Sequence, residues 1–412
     1  MKRILHLSFI ILLSSCLSEK DANIGKPSTF VRYINGGNND RAQVAEETLD
    51  KDGIIILGTT KMISPTEKLP DSVKIKLVKT DNYGNTLFQK VYPETFNSNQ
   101  NWRGQSLLQL TTGELIVIGD NIQAKGTDML LLVVDKELNT TTSKTINFSA
   151  FDVPKNQDGT TKDIRGKAIQ LNTNGNYLVL GAVQDNNNNM ILAELDKSDF
   201  RIIWVRKYGA GASSLSNKIY LDASNNVFWS GTVTRSSSDI RLVKTAQNSL
   251  NTIFDLPIGK PDFQEEGNDI CRYGFGFAVV GNTNETAGSQ DILFKILAED
   301  GSELLSKFFG FGDTDTGNSV TSARGGIVIL GTSKAVPTES GGRGEEDYYL
   351  MKFDAFGDSV WPTPRVFGSK NKDMGASVRQ MADGSLLVLG TTVFGGVNAM
   401  MLMKADSEGN IK

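Results

Sequence analysis

Gly53-Ile54-Ile55-Ile56-Leu57-Gly58-Thr59 is the stretch on which the fold turns: an apolar run closed by a glycine, returning six more times along the 412-residue chain. The glycines equivalent to Gly58 are Gly119 in GELIVIG, Gly181 in GNYLVLG, Gly231 in NVFWSG, Gly281 in GFAVVG, Gly331 in GIVILG and Gly390 in GSLLVLG. Their spacings of 61, 62, 50, 50, 50 and 59 residues mark one supersecondary unit repeated seven times. Because each unit of such an array borrows its neighbour's core, the repeats are expected to form one domain, although the length alone suggests two or three.

Each copy divides into four apolar runs. In the first they occupy residues 42–49, 54–59, 73–79 and 86–92. Asp50-Lys51-Asp52-Gly53 separates the first two and Asp81-Asn82-Tyr83-Gly84-Asn85 the last two, both with the chemistry of hairpin turns. The second run is almost unbroken, as suits a central strand covered on both faces. The third begins repeatedly with Asp or Asn, at Asp128, Asn189, Asp239, Asp291, Asp347 and Asn398. Such a side chain can satisfy backbone N–H groups where the chain enters a strand.

The two ends decide between an open solenoid and a closed ring. After residues 398–404 the last copy has a turn at 406–410 and stops without a fourth strand. The stretch FVRYINGG, residues 30–37, precedes the first copy and matches the fourth strands IIWVRKYG (202–209), LLSKFFG (304–310) and VWPTPRVFG (360–368). Lending it to the last copy closes the ring. The expectation is therefore an all-β fold: a seven-bladed β-propeller of four-stranded antiparallel blades over residues 30–412, its last blade completed by the N-terminal strand. Here the chain resembles Bacteroidota lipoproteins built from propeller repeats of the delta-sixty or SBBP-like type, over residues 30–412. It departs from them at copy four, where Asn225-Asn226 replaces an Asp-Gly turn, and at copy two, whose fourth strand around residues 144–148 is poor in apolar residues. Such repeats describe how blades are built and leave function open.

Before the repeats, Lys2 and Arg3 lead into an apolar run at residues 4–13, then Leu13-Ser14-Ser15-Cys16. The run is short for a bilayer span and reads as a secretory signal at residues 1–15. Its end resembles a bacterial lipobox, which implies acylation of Cys16, with residues 16–29 as a flexible tether. Leu17-Ser18-Glu19-Lys20-Asp21 looks like the export signal of Bacteroidota surface lipoproteins, and also fits a merely polar tether. The expected location is the outer membrane, lipid-anchored and surface-exposed.

Charge and composition then exclude several classes of function. The chain has 43 basic and 47 acidic residues, and loss of Lys2 and Arg3 leaves 41 against 47, or −6. No run of Lys and Arg neutralises phosphates, so no nucleic-acid partner is expected. The one histidine, His6, falls in the signal. A mature chain without histidine has no Ser-His-Asp or Cys-His nucleophile and none of the common zinc sites. Cys271 lies in an apolar stretch and is expected to be a buried, inert thiol.

A propeller chain places its one-to-two and three-to-four turns on one face, and its two-to-three and blade-to-blade connections on the other. The first set is minimal: DKDG at Asp50, TTG at Thr111, NTNG at Asn172, AEDGS at Ala298 and ADG at Ala382. The second includes residues 61–72, 93–101, 150–163, 282–290 and 333–346, long and unlike one another. Recognition is expected on that second face, with the tether on the first.

Asp40, Asp315 and Asp373 head innermost strands of neighbouring blades in Asn39-Asp40, Asp313-Thr314-Asp315 and Lys372-Asp373. Brought together at the channel mouth they would bind a cation or a sugar; taken singly they cap turns. Trp102, near the long-connection face, is a candidate for stacking on a sugar or for the core. No distinctive carboxylate pair, phosphate-binding loop, metal-ligand spacing or cofactor motif is present. The expectation is a non-enzymatic binding or scaffold module, with a protein partner in an outer-membrane transport or secretion complex. The alternative is a glycan-binding protein or a histidine-free carbohydrate-active enzyme.

Overall fold

The computed structural model describes residues 29–411 except 37, 63–71, 95–100, 124–125, 152–162, 185–188, 210–217, 235–236, 247–250, 338–341 and 343. Cys16 and the expected signal at residues 1–15 lie outside the described residues. The described chain forms seven four-stranded antiparallel sheets, a seven-bladed β-propeller. Blade 1 is β2 (Asn39–Glu47), β3 (Gly53–Met62), β4 (Ser72–Asp81) and β5 (Thr86–Tyr92). Blade 2 is β6 (Asn101–Gln109), β7 (Leu115–Gln123), β8 (Gly126–Val134) and β9 (Thr140–Thr145), and blade 3 is β10 (Asp163–Leu171), β11 (Tyr177–Gln184), β12 (Asn189–Leu195) and β13 (Ile202–Tyr208). Blade 4 is β14 (Tyr220–Leu221), β15 (Val227–Thr234), β16 (Ser238–Thr245) and β17 (Thr252–Ile258), and blade 5 is β18 (Glu265–Tyr273), β19 (Gly276–Thr283), β20 (Asp291–Ala298) and β21 (Glu303–Phe309). Blade 6 is β22 (Asp315–Ala323), β23 (Gly326–Ser333), β24 (Asp347–Phe353) and β25 (Arg365–Phe367). Blade 7 joins β26 (Met374–Gln380), β27 (Leu386–Phe394) and β28 (Val397–Ala405) to β1 (Phe30–Ile34).

The ring closes as the repeats imply. β1 pairs antiparallel with β28 from Phe30 opposite Lys404 to Ile34 opposite Met400, and Phe30 and Ile34 are buried against blade 1. The unbroken second strands explain how the blades cohere. Ile54 and Ile56 point into the junction of blades 7 and 1, Ile55 and Leu57 into that of blades 1 and 2. Among the described residues every one of the seven junctions carries such an apolar cluster. Each fully buried Leu, Ile or Val there stabilises the ring by about 1.5–3 kcal/mol.

The repeated glycine has a specific cause. Six innermost strands bulge by one residue opposite it, as between Gly104 and Ser106 or Gly267 and Asp269. The bulge presses a carbonyl onto the second strand: a Cβ on Gly119 would lie 1.9 Å from the Arg103 oxygen, and one on Gly281 would lie 1.6 Å from that of Glu266. Only glycine fits there.

Two fourth strands differ from the sequence reading. In blade 2 the strand is β9, which starts at Thr140 and is fully exposed; Ile146 and Phe148, placed in it by sequence, lie beyond it in the core. In blade 6, Ser359 bridges to Phe353 and the Val360 N–H donates to the Lys352 carbonyl at 2.8 Å, residues 361–364 then leave the sheet, and Arg365–Phe367 pair with β24. Pro362 and Pro364 have no N–H to give the ladder. Trp361 instead turns inward, buried, its indole N–H donating to Glu408 Oε2 at 3.1 Å.

Candidate functional site

Register, rather than sequence spacing, relates the candidate residues. Asp40, Trp102, Ile164, Glu265, Asp315 and Asp373 all stand two residues before the residue at which the innermost strand bulges. All six are buried. Asp40 is ion-paired with the equally buried Lys76. Asp315 accepts the Phe311 N–H at 2.8 Å and the Tyr349 hydroxyl at 3.3 Å. Asp373 accepts the Ser369 N–H at 2.7 Å and its hydroxyl at 2.9 Å. Burial pushes the carboxyls of Asp315 and Asp373 up from their ordinary range. The Trp102 indole donates to Asn121 Oδ1 at 3.1 Å within the cluster between blades 1 and 2. Among the described residues no three His, Cys, Asp or Glu side chains converge as a metal site requires. The three aspartates thus occupy one position in three neighbouring blades, each engaged by its own local partners.

The glycines that follow the fourth strands of blades 5 and 6 belong to the same arrangement. A Cβ on Gly310 would stand 2.4 Å from Asp291 Oδ1 and 2.6 Å from Asp315 Oδ2. One on Gly368 would stand 2.0 Å from Asp347 Oδ1. Two carboxylates, one heading a third strand and one heading the next innermost strand, therefore close over the end of the fourth.

The central channel holds chemistry that the sequence reading did not single out. At the short-turn end lies a cavity of about 280 Å³, lined among others by Glu46, Leu108, Gln170, Lys218, Tyr220 and Arg379. The Lys218 ammonium donates to Asp269 Oδ2 at 2.9 Å, to the Ile270 carbonyl at 3.1 Å and to that of Val320 at 3.3 Å. Asp269 also accepts the Ser319 hydroxyl at 2.8 Å and the Val320 N–H at 3.0 Å. Burial opposes its ionisation, but the charges of Lys218 and Arg379, with the hydrogen bonds from Lys218 and the Val320 N–H, hold its carboxyl below the usual range. Cys271 lies buried beside this network, and burial pushes its thiol up to about 11.

At the opposite end, where innermost strands begin, Arg41, Arg103 and Arg165 each directly precede the bulge in blades 1, 2 and 3. Arg41 and Arg103 are exposed; Arg165 and Lys167 are half-buried. Arg103, Arg165 and Lys167 all act on one buried carboxylate, Asp120, which also accepts the Gln105 amide at 3.1 Å. A signal for the arginines was present in Asp40-Arg41-Ala42-Gln43, Trp102-Arg103-Gly104-Gln105 and Ile164-Arg165-Gly166-Lys167, at steps of 62 residues. Of the five long connections on this face, only 282–290 is described throughout.

No protein-family model matches the chain, and no curated protein matches its sequence. Solved structures do match. A protein of unknown function from Dyadobacter fermentans DSM 18053 aligns at 10% identity over 75% of this chain and 96% of its own, with TM-score 0.49. A puromycin-hydrolyzing peptidase from Mycobacterium tuberculosis aligns at 11% identity over 90% of this chain and 53% of its own, with TM-score 0.52. A quinohemoprotein alcohol dehydrogenase from Comamonas testosteroni aligns at 9% identity, 93% and 77% coverage and TM-score 0.49. The likeness to the peptidase is one of fold, and blades of this kind serve many unrelated chemistries.

Proposed function

We propose that the chain is a lipid-anchored cell-surface protein whose propeller is a non-enzymatic binding or scaffold module, working beside an outer-membrane transport or secretion complex. The observation that carries this reading is where β1 starts. Phe30 packs against the three-to-four turn of blade 1, so closely that a Cβ on Gly84 would lie 2.6 Å from its ring. Chain arriving at Phe30 therefore comes from the short-turn face. A tether acylated at Cys16 would hold that face toward the bilayer and turn the long connections outward, where recognition by a rigid scaffold is expected.

The non-enzymatic half of the reading is supported by the buried, locally bonded Asp40, Asp315 and Asp373 and by the absence of histidine after His6. The test is native purification after mild crosslinking, comparing the chain with its Cys16→Ser variant in detergent phase partition. The expected result is a detergent-phase protein that carries a stoichiometric outer-membrane partner, with both properties lost in the variant. Aqueous partition of the unmutated chain would overturn the anchor, and recovery of the protein alone would overturn the scaffold role.

A further inference from the structure

The cavity at the short-turn end of the channel is built from one repeated position. Glu46, Leu108, Gln170, Tyr220 and Arg379 line it, and each pairs with the residue three before the repeated glycine of its blade: Ile55, Ile116, Leu178, Phe228 and Leu387. Blades 1, 2, 3, 4 and 7 thus present one such side chain apiece to about 280 Å³ of space, close to the lower bound of small-ligand sites. Two of the five are charged, Glu46 on blade 1 and Arg379 on blade 7, and the inner strands that carry them are joined by the Ala45 N–H donating to Ser377 Oγ at 3.0 Å. Glu46 Oε2 accepts the Gln109 amide at 3.3 Å, and its Oε1 has no partner among the described residues. Arg379 donates Nη1 to the Val378 carbonyl at 2.8 Å and to Ser319 Oγ at 3.4 Å, and its Nε and Nη2 have no partner among the described residues. The remaining charged group of the lining is already engaged: Lys218 gives its ammonium to Asp269, Ile270 and Val320.

We propose that this cavity binds a small zwitterion, an α-amino acid with an aliphatic side chain, whose carboxylate is held by Arg379 and whose ammonium is held by Glu46. The charges of the wall decide the class. Lys218 and Arg379 balance Asp269 and Glu46, so a ligand of net charge would leave one sign unopposed, whereas a zwitterion adds none. The Nε and Nη2 edge of a guanidinium grips a carboxylate through two parallel bonds, as Arg241 grips Asp255 in blade 4, Nε to Oδ1 at 2.7 Å and Nη2 to Oδ2 at 2.5 Å. Leu108, Ile169 and Ile219 of the same lining offer the ligand's side chain an apolar wall. Ser319 links Arg379 to Asp269, so the network that ties blades 4, 5 and 6 also positions the guanidinium. The site goes beyond the binding-module reading, which places a partner on the long-connection face, and it is independent of membrane anchoring.

The experiment is isothermal titration of the full chain carrying Cys16→Ser with L-leucine, and separately with isocaproate, which lacks the amine, and isoamylamine, which lacks the carboxylate. Saturable one-to-one binding of leucine is expected, with each of the other two about tenfold weaker because it loses one charge-assisted contact. Arg379→Gln should weaken leucine and abolish its advantage over isoamylamine. Glu46→Gln should weaken leucine and abolish its advantage over isocaproate. That exchange of selectivity separates direct contact from a general loss of fold, which melting curves of the same variants monitor. Leucine that does not bind, or binds no better than the other two, overturns the proposal, as does either variant that keeps the parent's selectivity. None of these outcomes bears on detergent partition of the acylated chain, so the anchor reading stands or falls separately.

Discussion

The Nζ of Lys218 lies 2.9 Å from the carboxylate of Asp269, bridging blades 4 and 5 on the wall of the central channel. Both groups are withdrawn from water, and Asp269 has two further donors, Ser319 and the Val320 N–H, reaching from blade 6. Three consecutive blades are therefore tied through one carboxylate. Removing the lysine leaves that charge buried with its principal counter-ion gone. Lys218→Met is expected to cost about 3–5 kcal/mol in chemical denaturation. Adding Asp269→Asn to it should restore part of the loss. A single variant as stable as the parent would show that the pair is not a structural tie.

Gly368 gives a second prediction. Its backbone runs beneath Asp347 and Asp373, and an alanine Cβ would sit 2.0 Å from Asp347 Oδ1. Gly368→Ala should destabilise by about 1–3 kcal/mol through forced displacement of buried, bonded carboxylates. Gly384→Ala makes a comparison of another kind, because a Cβ there meets nothing within 4 Å and only the positive φ of 86° is strained. Melting curves of the two variants separate crowding from backbone strain; a smaller loss at Gly368 than at Gly384 would refute the crowding argument.

The pH dependence of stability has a definite sign at Asp315 and Asp373. Burial raises both carboxyls above the ordinary 3.8, so the folded state binds these protons more readily than the unfolded chain. Their contribution is complete below 3.8 and is lost as pH rises through the raised values. Asparagine at either position keeps a carbonyl acceptor and removes the titration. Urea midpoints of Asp315→Asn and Asp373→Asn, measured from acid to neutral pH, should therefore fall less steeply with rising pH than those of the parent. Parallel profiles would show that these groups do not titrate differently on folding.

Cys271 should be chemically silent while the protein is folded. Its thiol is buried and pushed up to about 11, leaving almost no thiolate at neutral pH. In a Cys16→Ser background, a disulfide-exchange reagent should consume no thiol until denaturant is added, then one per chain. Rapid reaction of the native protein would mean that the blade 5 inner strand opens.

The blades were legible in the primary structure because two requirements recur in every copy. Gly58 and five of its six equivalents, Gly119, Gly181, Gly281, Gly331 and Gly390, are each pressed by an inner-strand carbonyl or by packed side chains, and the runs before them must be apolar on both faces to fill two junctions. The terminal bookkeeping that assigned β1 to blade 7 follows from the same repetition. The blade 6 fourth strand was less legible. Apolar character alone placed residues 360–368 in the sheet, whereas Pro362 and Pro364 and the pocket for Trp361 broke the ladder.

The candidate site divides along the same line. The sequence by itself determined the fold, the count of blades and the face on which β1 begins, because those depend on local alternation and on a period. Only the tertiary structure decided that Asp40, Trp102, Asp315 and Asp373 share one buried position, and that Lys218 and Asp269, 51 residues apart, meet on the channel wall. The reason is physical: the channel is built from one strand of every blade, so its neighbours are set by ring closure. The bulge in six of the seven inner strands then shifts the facing side chains by one residue, and alternation along the chain does not reveal that shift.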